Sequence, residues 1–162
     1  MKAQSPVEIL LVEDDPRDVE LTTYALQKEN LCNNICVAGD GEQALDFLFG
    51  RGEYSDRRNG PNPYLVLLDL HLPKVDGLEV LREMKNNPRT RIIPVVVLTS
   101  SREQRDLVES YSLGVNSYIQ KPVDFVQFQA AVKQVGLYWL LLNRSLADEA
   151  VHLPSEAVGV TR

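Results

Sequence analysis

Residues 64–73 read YLVLLDLHLP, an apolar run that leads directly into the carboxylate of Asp69. Short runs of this kind, rich in aliphatic residues, are typical of strands buried on both faces of a parallel sheet. A carboxylate at the end of such a strand loses much of its hydration, which is costly unless another group pairs with it. Asp69 therefore predicts partner groups at the same edge of the sheet.

Three other strand-like runs also end in polar side chains. They are residues 7–12 before Glu13, Asp14 and Asp15, residues 93–98 before Thr99, and residues 115–120 before Lys121. The carboxyl ends of the strands share one edge of an open α/β sheet, and ligands bind at that edge. We therefore expect acids, a hydroxyl and an ammonium group to lie close together there.

Helical patterns alternate with these strands and with a further short strand at residues 35–38. Helix starts are predicted at Pro16, Asp40, Asp76, Ser101 and Asp124. Gln43 predicts a capping box at the second helix. The element order predicts the (βα)₅ class: an α/β fold with a doubly wound, five-stranded parallel sheet. The domain should span residues 1–143, with a polar inserted loop at about 50–63. A polar tail at 144–162 follows, for which disorder is one candidate state.

Composition limits the function classes. At 162 residues, with 44% hydrophobic and 25% charged residues, the chain is typical of one globular domain. The net charge of −6 argues against a nucleic-acid partner, which usually needs a basic patch. No apolar stretch suits a membrane span or a signal peptide, so we expect a cytoplasmic location and no membrane partner. Cys32 and Cys36 lack zinc-site spacing and are expected to be reduced thiols.

The acids point to metal-assisted phosphoryl chemistry. Crowded carboxylates of Glu13, Asp14 and Asp69 repel each other unless a cation lies between them. Oxygen ligands of this kind suit Mg²⁺ (or Mn²⁺), which takes one or two carboxylates directly and keeps several waters. A divalent ion also neutralises an incoming phosphoryl group, which an Asp oxygen can attack to form an acyl phosphate. Lys121 and Thr99 fit as donors to the phosphoryl oxygens.

These motifs together resemble the receiver domain of two-component response regulators. The resemblance covers roughly residues 7–143. It rests on Glu13-Asp14-Asp15 after the first strand, Asp69 to Gly77 after the third, Thr99-Ser100 after the fourth and Lys121-Pro122 after the fifth. It implies the flavodoxin-like receiver fold. It also implies a signalling switch that takes a phosphoryl group from a sensor histidine kinase, rather than an enzyme with its own substrate. Leu72 stands where family members often have Met, a change that leaves the chemistry intact.

The resemblance also implies a role for each acid of the site. Asp69 is the expected phosphoacceptor. Asp14 and Asp69 are expected to ligate the metal ion directly, together with the backbone carbonyl of His71. Glu13 is expected to act on the metal mainly through water. The side chain of His71 is expected to point to solvent, so that only its carbonyl matters.

Further roles are implied at the ends of the fourth and fifth strands. Lys121 is expected to pair with the phosphoryl group, and its peptide bond to Pro122 is a candidate cis bond. Thr99 is the expected switch hydroxyl and Tyr118 the switch aromatic. Tyr118 lies in an alternating strand, so an ordinary core or edge aromatic is an alternative role for it. Thr99 has a separate alternative role, as a cap of the fourth helix.

The inserted loop and the end of the fifth helix resemble stand-alone regulators that partner phytochrome-type sensor kinases. Residues 137–142 are apolar on all sides of that helix, so one side must face something other than its own sheet. We therefore expect a homodimer through Tyr138, Trp139 and Leu142. About 19 residues after Asn143 are too few for an effector domain, so we expect an unknown downstream protein partner.

Two alternative functions share part of this pattern. A Mg²⁺-dependent phosphatase could use Asp69 as its nucleophile. Hydrolases of the haloacid dehalogenase type carry a second Asp two residues later, however, where this chain has His71. A receiver-like module could instead bind partners without phosphorylation, but the complete set of Asp14, Asp69, Thr99 and Lys121 argues against it.

Overall fold

Strands and helices alternate along the chain. The structure, a computed structural model, describes residues 7, 9–28, 34–100 and 109–135. Its strands are β1 (Ile9–Val12), β2 (Ile35–Ala38), β3 (Leu65–Asp69), β4 (Val95–Thr99) and β5 (Ser117–Gln120). Its helices are α1 (Pro16–Lys28), α2 (Gly41–Phe49), α3 (Gly77–Asn86), α4, of which residues 109–112 are described, and α5 (Phe125–Val135). None of the described helices is both long and apolar enough to cross a bilayer.

Four parts of the sequence-based expectation fall outside these residues. They are the thiol of Cys32, the helix start at Ser101, the apolar helix end with Tyr138, Trp139 and Leu142, and the tail at 144–162. The predicted dimer surface and the predicted tail therefore stay predictions.

Within the described residues, the strands form one parallel sheet in the order β2-β1-β3-β4-β5. Alternate residues of its central strands supply a core on each face. On one face Leu10 and Val66 pack with residues of α2 and α3, and on the other Leu11 and Leu67 pack with residues of α1 and α5. This is a doubly wound sheet with helices on both faces, so the predicted fold class is confirmed.

Side chains at the helix starts satisfy backbone N–H groups that have no partner within the helix. Asp15 Oδ1 accepts a hydrogen bond from the N–H of Arg17 at 2.9 Å, which caps α1. At α2, Asp40 Oδ1 accepts from the N–H of Gln43 at 2.7 Å, as predicted. The Gln43 side chain accepts from the N–H of Gly39 at 2.8 Å, one residue before the position that a capping box uses.

The inserted loop at 50–63 contains a short 3₁₀ helix, Gly52–Arg57, that packs on α2. The Tyr54 ring meets the Phe47 ring edge-on at 5.3 Å, and its hydroxyl accepts a hydrogen bond from Gln43 Nε2 at 2.9 Å. The Arg57 guanidinium lies 3.7 Å from the centre of the Phe47 ring. Arg89 donates hydrogen bonds to carbonyl groups of residues 57, 58 and 60. Aromatic packing and side-chain hydrogen bonds therefore fix the insertion to the fold.

The strand register brings the predicted site residues to one edge of the sheet. Val12 pairs with Leu68, so Glu13 follows β1 beside the end of β3. Thr99 pairs with Gln120, so Lys121 follows β5 beside the end of β4. The strand order reverses at β1 and β3, and doubly wound sheets form their binding crevice at such a reversal.

Candidate functional site

Three acids meet at the carboxyl ends of β1 and β3. One carboxylate oxygen each from Glu13, Asp14 and Asp69 lies within 4.8 Å of the other two. Glu13 and Asp69 are only 1% and 4% exposed, whereas Asp14 is exposed. The parallel pairing of β1 with β3 explains this meeting, because it places the residues after Val12 beside Asp69.

Lys121 enters this cluster from the loop after β5. Its Nζ lies 2.5 Å from Glu13 Oε2, 2.8 Å from Asp69 Oδ2 and 3.1 Å from Asp18 Oδ2. The contacts with Asp69 and Asp18 have hydrogen-bond geometry, and the contact with Glu13 is an ion pair. The Lys121 side chain is 10% exposed. One ammonium group therefore faces more carboxylates than it can neutralise.

This crowding changes the proton affinity of the buried groups. Burial raises the pKa of Glu13 to about 7, with a further contribution from the charge of Asp69, although Lys121 opposes the change. Burial alone would lower the pKa of Lys121, but its bonds to Asp69 and Glu13 outweigh burial and raise that pKa. Lys121 therefore keeps its charge at neutral pH, whereas Glu13 titrates close to it when no metal ion is bound.

Backbone groups fix the orientation of Asp69. Its Oδ1 accepts a hydrogen bond from the N–H of His71 at 3.0 Å, while Oδ2 accepts from Lys121. The first residue of α3, Gly77, donates its N–H to the carbonyl of Leu70 at 3.0 Å. A Cβ at Gly77 would lie 2.3 Å from the carbonyl oxygen of Asp69, so only glycine lets α3 start this close to β3.

The donor set fits a divalent metal ion. Its ligands are carboxylate oxygens, which Mg²⁺ and Mn²⁺ prefer. Glu13 and Asp69 come from buried positions, and the exposed Asp14 lies where the ion can keep water ligands. A dication would also neutralise the negative charge that Lys121 leaves uncompensated. The predicted contribution of the His71 carbonyl stays a prediction.

The predicted switch residues lie on β4 and β5. Thr99 is the last residue of β4, and its side chain is outside the described part of the chain. Tyr118 is 47% exposed on the alternating strand β5, and its ring meets that of Tyr111 edge-on at 6.2 Å. Tyr118 is therefore an outward-facing aromatic rather than a core residue. The peptide bond between Lys121 and Pro122 is cis.

Residues 9–133 match the response regulator receiver domain. The chain belongs to this family. The match confirms the predicted response-regulator class, and it favours a phosphoryl-accepting receiver over the phosphatase alternative.

Related receivers include regulators of phytochrome systems. Response regulator Rcp1 of Synechocystis sp. is 41% identical over 139 residues, which cover 86% of this chain and 92% of Rcp1. The solved bacteriophytochrome response regulator AtBRR is 55% identical, with a TM-score of 0.76, over 84% of this chain and 96% of AtBRR. The phosphorylated cyanobacterial phytochrome response regulator RcpA is 40% identical, with a TM-score of 0.69, over 84% of this chain and 95% of RcpA. Rcp1 has also been solved in a Mn²⁺-bound form.

Sequence reasoning missed two residues of the site. Asp18 contacts Lys121, but an acid in the first turn of a helix is ordinarily explained by the helix dipole alone. Gly77 ends the Asp69–Gly77 motif and follows the predicted helix start at Asp76, but the sequence assigns it no role of its own. Its close approach to Asp69 depends on how α3 docks against β3, and no local pattern carries that information.

Proposed function

We propose that this receiver accepts a phosphoryl group on Asp69 from the phosphohistidine of a sensor histidine kinase, with Mg²⁺ (or Mn²⁺) bound at Glu13, Asp14, Asp69 and the backbone carbonyl of His71. The observation that carries the proposal is the 2.8 Å contact between Lys121 Nζ and Asp69 Oδ2 beside the three acids. It joins a nucleophile, a fixed cation and metal-binding oxygens at one point. Family membership and the phosphorylated form of the related RcpA support the proposal.

In this mechanism the chain's side chains bind and orient the reacting groups. An oxygen of Asp69 attacks phosphorus, the new O–P bond forms as the N–P bond of phosphohistidine breaks, and the electron pair returns to the imidazole. The N–H of His71 already orients Asp69 through its bond to Oδ1. Lys121 and the hydroxyl of Thr99 donate to the phosphoryl oxygens. A bound divalent ion neutralises negative charge on the phosphoryl group.

Transfer from a phosphorylated histidine kinase tests this proposal. The wild-type chain should gain an acid-stable, hydroxylamine-sensitive label, and Asp69→Asn should gain none. Asp76→Asn is the matched control, because it removes an exposed acid beside α3 that lies outside the cluster. Labelling of Asp69→Asn at the wild-type rate, or labelling that persists when EDTA removes the metal ion, would refute the proposal.

We further propose that the kinase is of the phytochrome type and that the exchange takes place in the cytoplasm. The support comes from the relatives, since AtBRR and RcpA are described as regulators of phytochrome systems. Initial rates of transfer from a bacteriophytochrome kinase and from an unrelated histidine kinase provide the test. Equal rates from the two donors would contradict the proposed pairing.

The proposed switch couples Thr99 to Tyr118. A phosphoryl group on Asp69 offers an acceptor to the Thr99 hydroxyl, and its movement would leave space for the exposed Tyr118 ring. The edge contact with Tyr111 would then change, and with it the surface beside β5. Thr99→Ala should accept the phosphoryl group but lose the response of partner binding. Partner binding that depends on phosphorylation as strongly as in wild type would contradict the coupling.

We also propose a homodimer through the α5 region. The net charge of −6 favours an unknown downstream protein, and not nucleic acid, as the output partner. Val126 on α5 is 71% exposed, and residues 137–142 are apolar in sequence. Sedimentation of wild type and of the Trp139→Glu, Leu142→Glu double variant tests the dimer. The proposal expects a dimeric wild type and a monomeric variant. A wild type that is monomeric at tens of micromolar, well above a roughly micromolar dissociation constant, would contradict it.

A further inference from the structure

Asp18 differs from the other acids that contact Lys121. It is the third residue of α1, and its Oδ2 accepts a hydrogen bond from Lys121 Nζ at 3.1 Å. Glu13 and Asp69, which also contact Lys121, belong to the group of three acids that fits a metal ion, and Asp18 does not. Lys121 is therefore held from two sides, by the metal-binding acids and by α1.

The two sides would respond differently to a metal ion. An ammonium group has three N–H donors, and three carboxylate oxygens lie within 3.1 Å of Lys121 Nζ. A divalent ion at Glu13 and Asp69 would compete for their oxygens and repel the ammonium group. The attraction from Asp18 would remain, because its carboxylate lies outside the metal-binding group.

Asp18 is also well placed to act as a fixed anchor. It lies in the first turn of α1, where the helix N-terminus favours a carboxylate. The start of that helix is capped by Asp15, and the helix packs against α5. The helix dipole alone would explain an acid at this position. It would not explain a hydrogen bond to a lysine that follows the last strand of the sheet.

We propose that Asp18 is a positioning residue for phosphoryl transfer, which holds the Lys121 ammonium group within reach of the phosphoryl oxygens when a metal ion occupies the acid group. The inference rests on the proposed function of Asp69. With one N–H bonded to Asp18, the other two remain directed at Asp69 and at the incoming phosphoryl group. Without Asp18, Lys121 would lose the only one of these three anchors that the metal ion does not share.

The first test uses Asp18→Asn, which keeps the shape of the side chain and removes its charge. Glu20→Gln is the matched control, because Glu20 is an exposed acid of the same helix and is not among the acids that contact Lys121. Calorimetry with Mg²⁺ and beryllofluoride, a phosphoryl mimic, gives the affinity of each variant. Because Asp18 is partly exposed, we expect Asp18→Asn to bind beryllofluoride about three- to tenfold more weakly. Glu20→Gln should bind like wild type.

A second readout separates an effect through Lys121 from a change of the fold. Labelling rates with acetyl phosphate are compared for Lys121→Gln with and without Asp18→Asn. No ammonium group is left to position in this background, so the second substitution should leave the rate unchanged. If Asp18→Asn lowered the labelling rate of Lys121→Gln by the same factor as it lowers the rate of the wild-type chain, the proposal would be overturned.

The outcomes also distinguish this inference from the proposed function. Wild-type affinity of Asp18→Asn for beryllofluoride would overturn the role of Asp18 and leave phosphoryl acceptance at Asp69 intact. Failure of the wild-type chain itself to bind beryllofluoride with Mg²⁺ would overturn both.

Discussion

The acid cluster at the end of β3 and the inserted loop on α2 use partly buried charge in opposite ways. In the cluster, Lys121 faces several carboxylates, and burial raises the pKa of Glu13 to about 7. At the insertion, Arg57 lies over an aromatic ring, and Arg89, which follows α3, donates to backbone carbonyls of the insertion. The cluster leaves negative charge uncompensated, whereas Arg57 and Arg89 have neutral partners.

This difference separates chemistry from stability. Uncompensated carboxylates attract a metal ion, which in turn neutralises an incoming phosphoryl group, but they contribute little to folding while the metal ion is absent. From its contacts we expect the packed insertion to contribute to folding and not to the chemistry. Variants of the cluster should therefore change labelling more than stability, and variants of the insertion should do the reverse.

Among the variants proposed in this comparison, Gly77→Ala should give the largest loss of stability. The substitution should disturb both the packing of α3 against β3 and the position of Asp69. The added Cβ would lie 2.3 Å from the carbonyl oxygen of Asp69 and 2.6 Å from Leu70 Cα, and both are backbone atoms. We expect urea unfolding to show a loss of about 2–4 kcal/mol, with slower labelling by acetyl phosphate. At Gly39 the nearest atom to a Cβ would be Gln43 Oε1 at 3.7 Å, so Gly39→Ala serves as the control. Equal losses for the two variants would contradict the account of α3 docking.

Tyr54→Ala should lower stability and leave labelling unchanged. It removes the ring contact with Phe47 and the hydrogen bond to Gln43, and we expect a loss of about 1–3 kcal/mol. Tyr54→Phe keeps the ring, so its loss should be about 1 kcal/mol or less. Slower labelling of Tyr54→Ala under conditions where it is fully folded would break the separation of the two regions.

A third expected effect is a pH dependence that comes from Glu13. Its pKa in the folded state, about 7, lies above the ordinary value of 4.5, so the folded chain holds an extra proton between these values. Without metal, this group's contribution to stability should fall as pH rises through that window, by at most about 2–3 kcal/mol. Urea unfolding with EDTA at pH 5 and pH 8 measures the fall. Glu13→Gln should remove it, and an unchanged pH dependence in that variant would contradict the raised pKa.

The sequence predicts this fold and most of its site for a physical reason. The predicted strands are short runs that are mostly apolar or, in β5, alternating, and the parallel order places the residues after them at one edge, which is why Glu13, Asp69 and Lys121 meet. The bond between Asp18 and Lys121 and the approach of Gly77 to Asp69 depend on how helices dock against the sheet. Docking is a property of the packed chain, so no local pattern reveals it.

Asp69→Asn tests the central claim most directly, if labelling and stability are measured on the same preparation. With acetyl phosphate and Mg²⁺, wild type should carry one phosphoryl group on the peptide that contains Asp69, and the variant should carry none. Without metal, the variant should be within about 1 kcal/mol of wild type in unfolding free energy, or more stable, because it relieves the repulsion with Glu13. A folded variant that still labels at the wild-type rate would contradict the account.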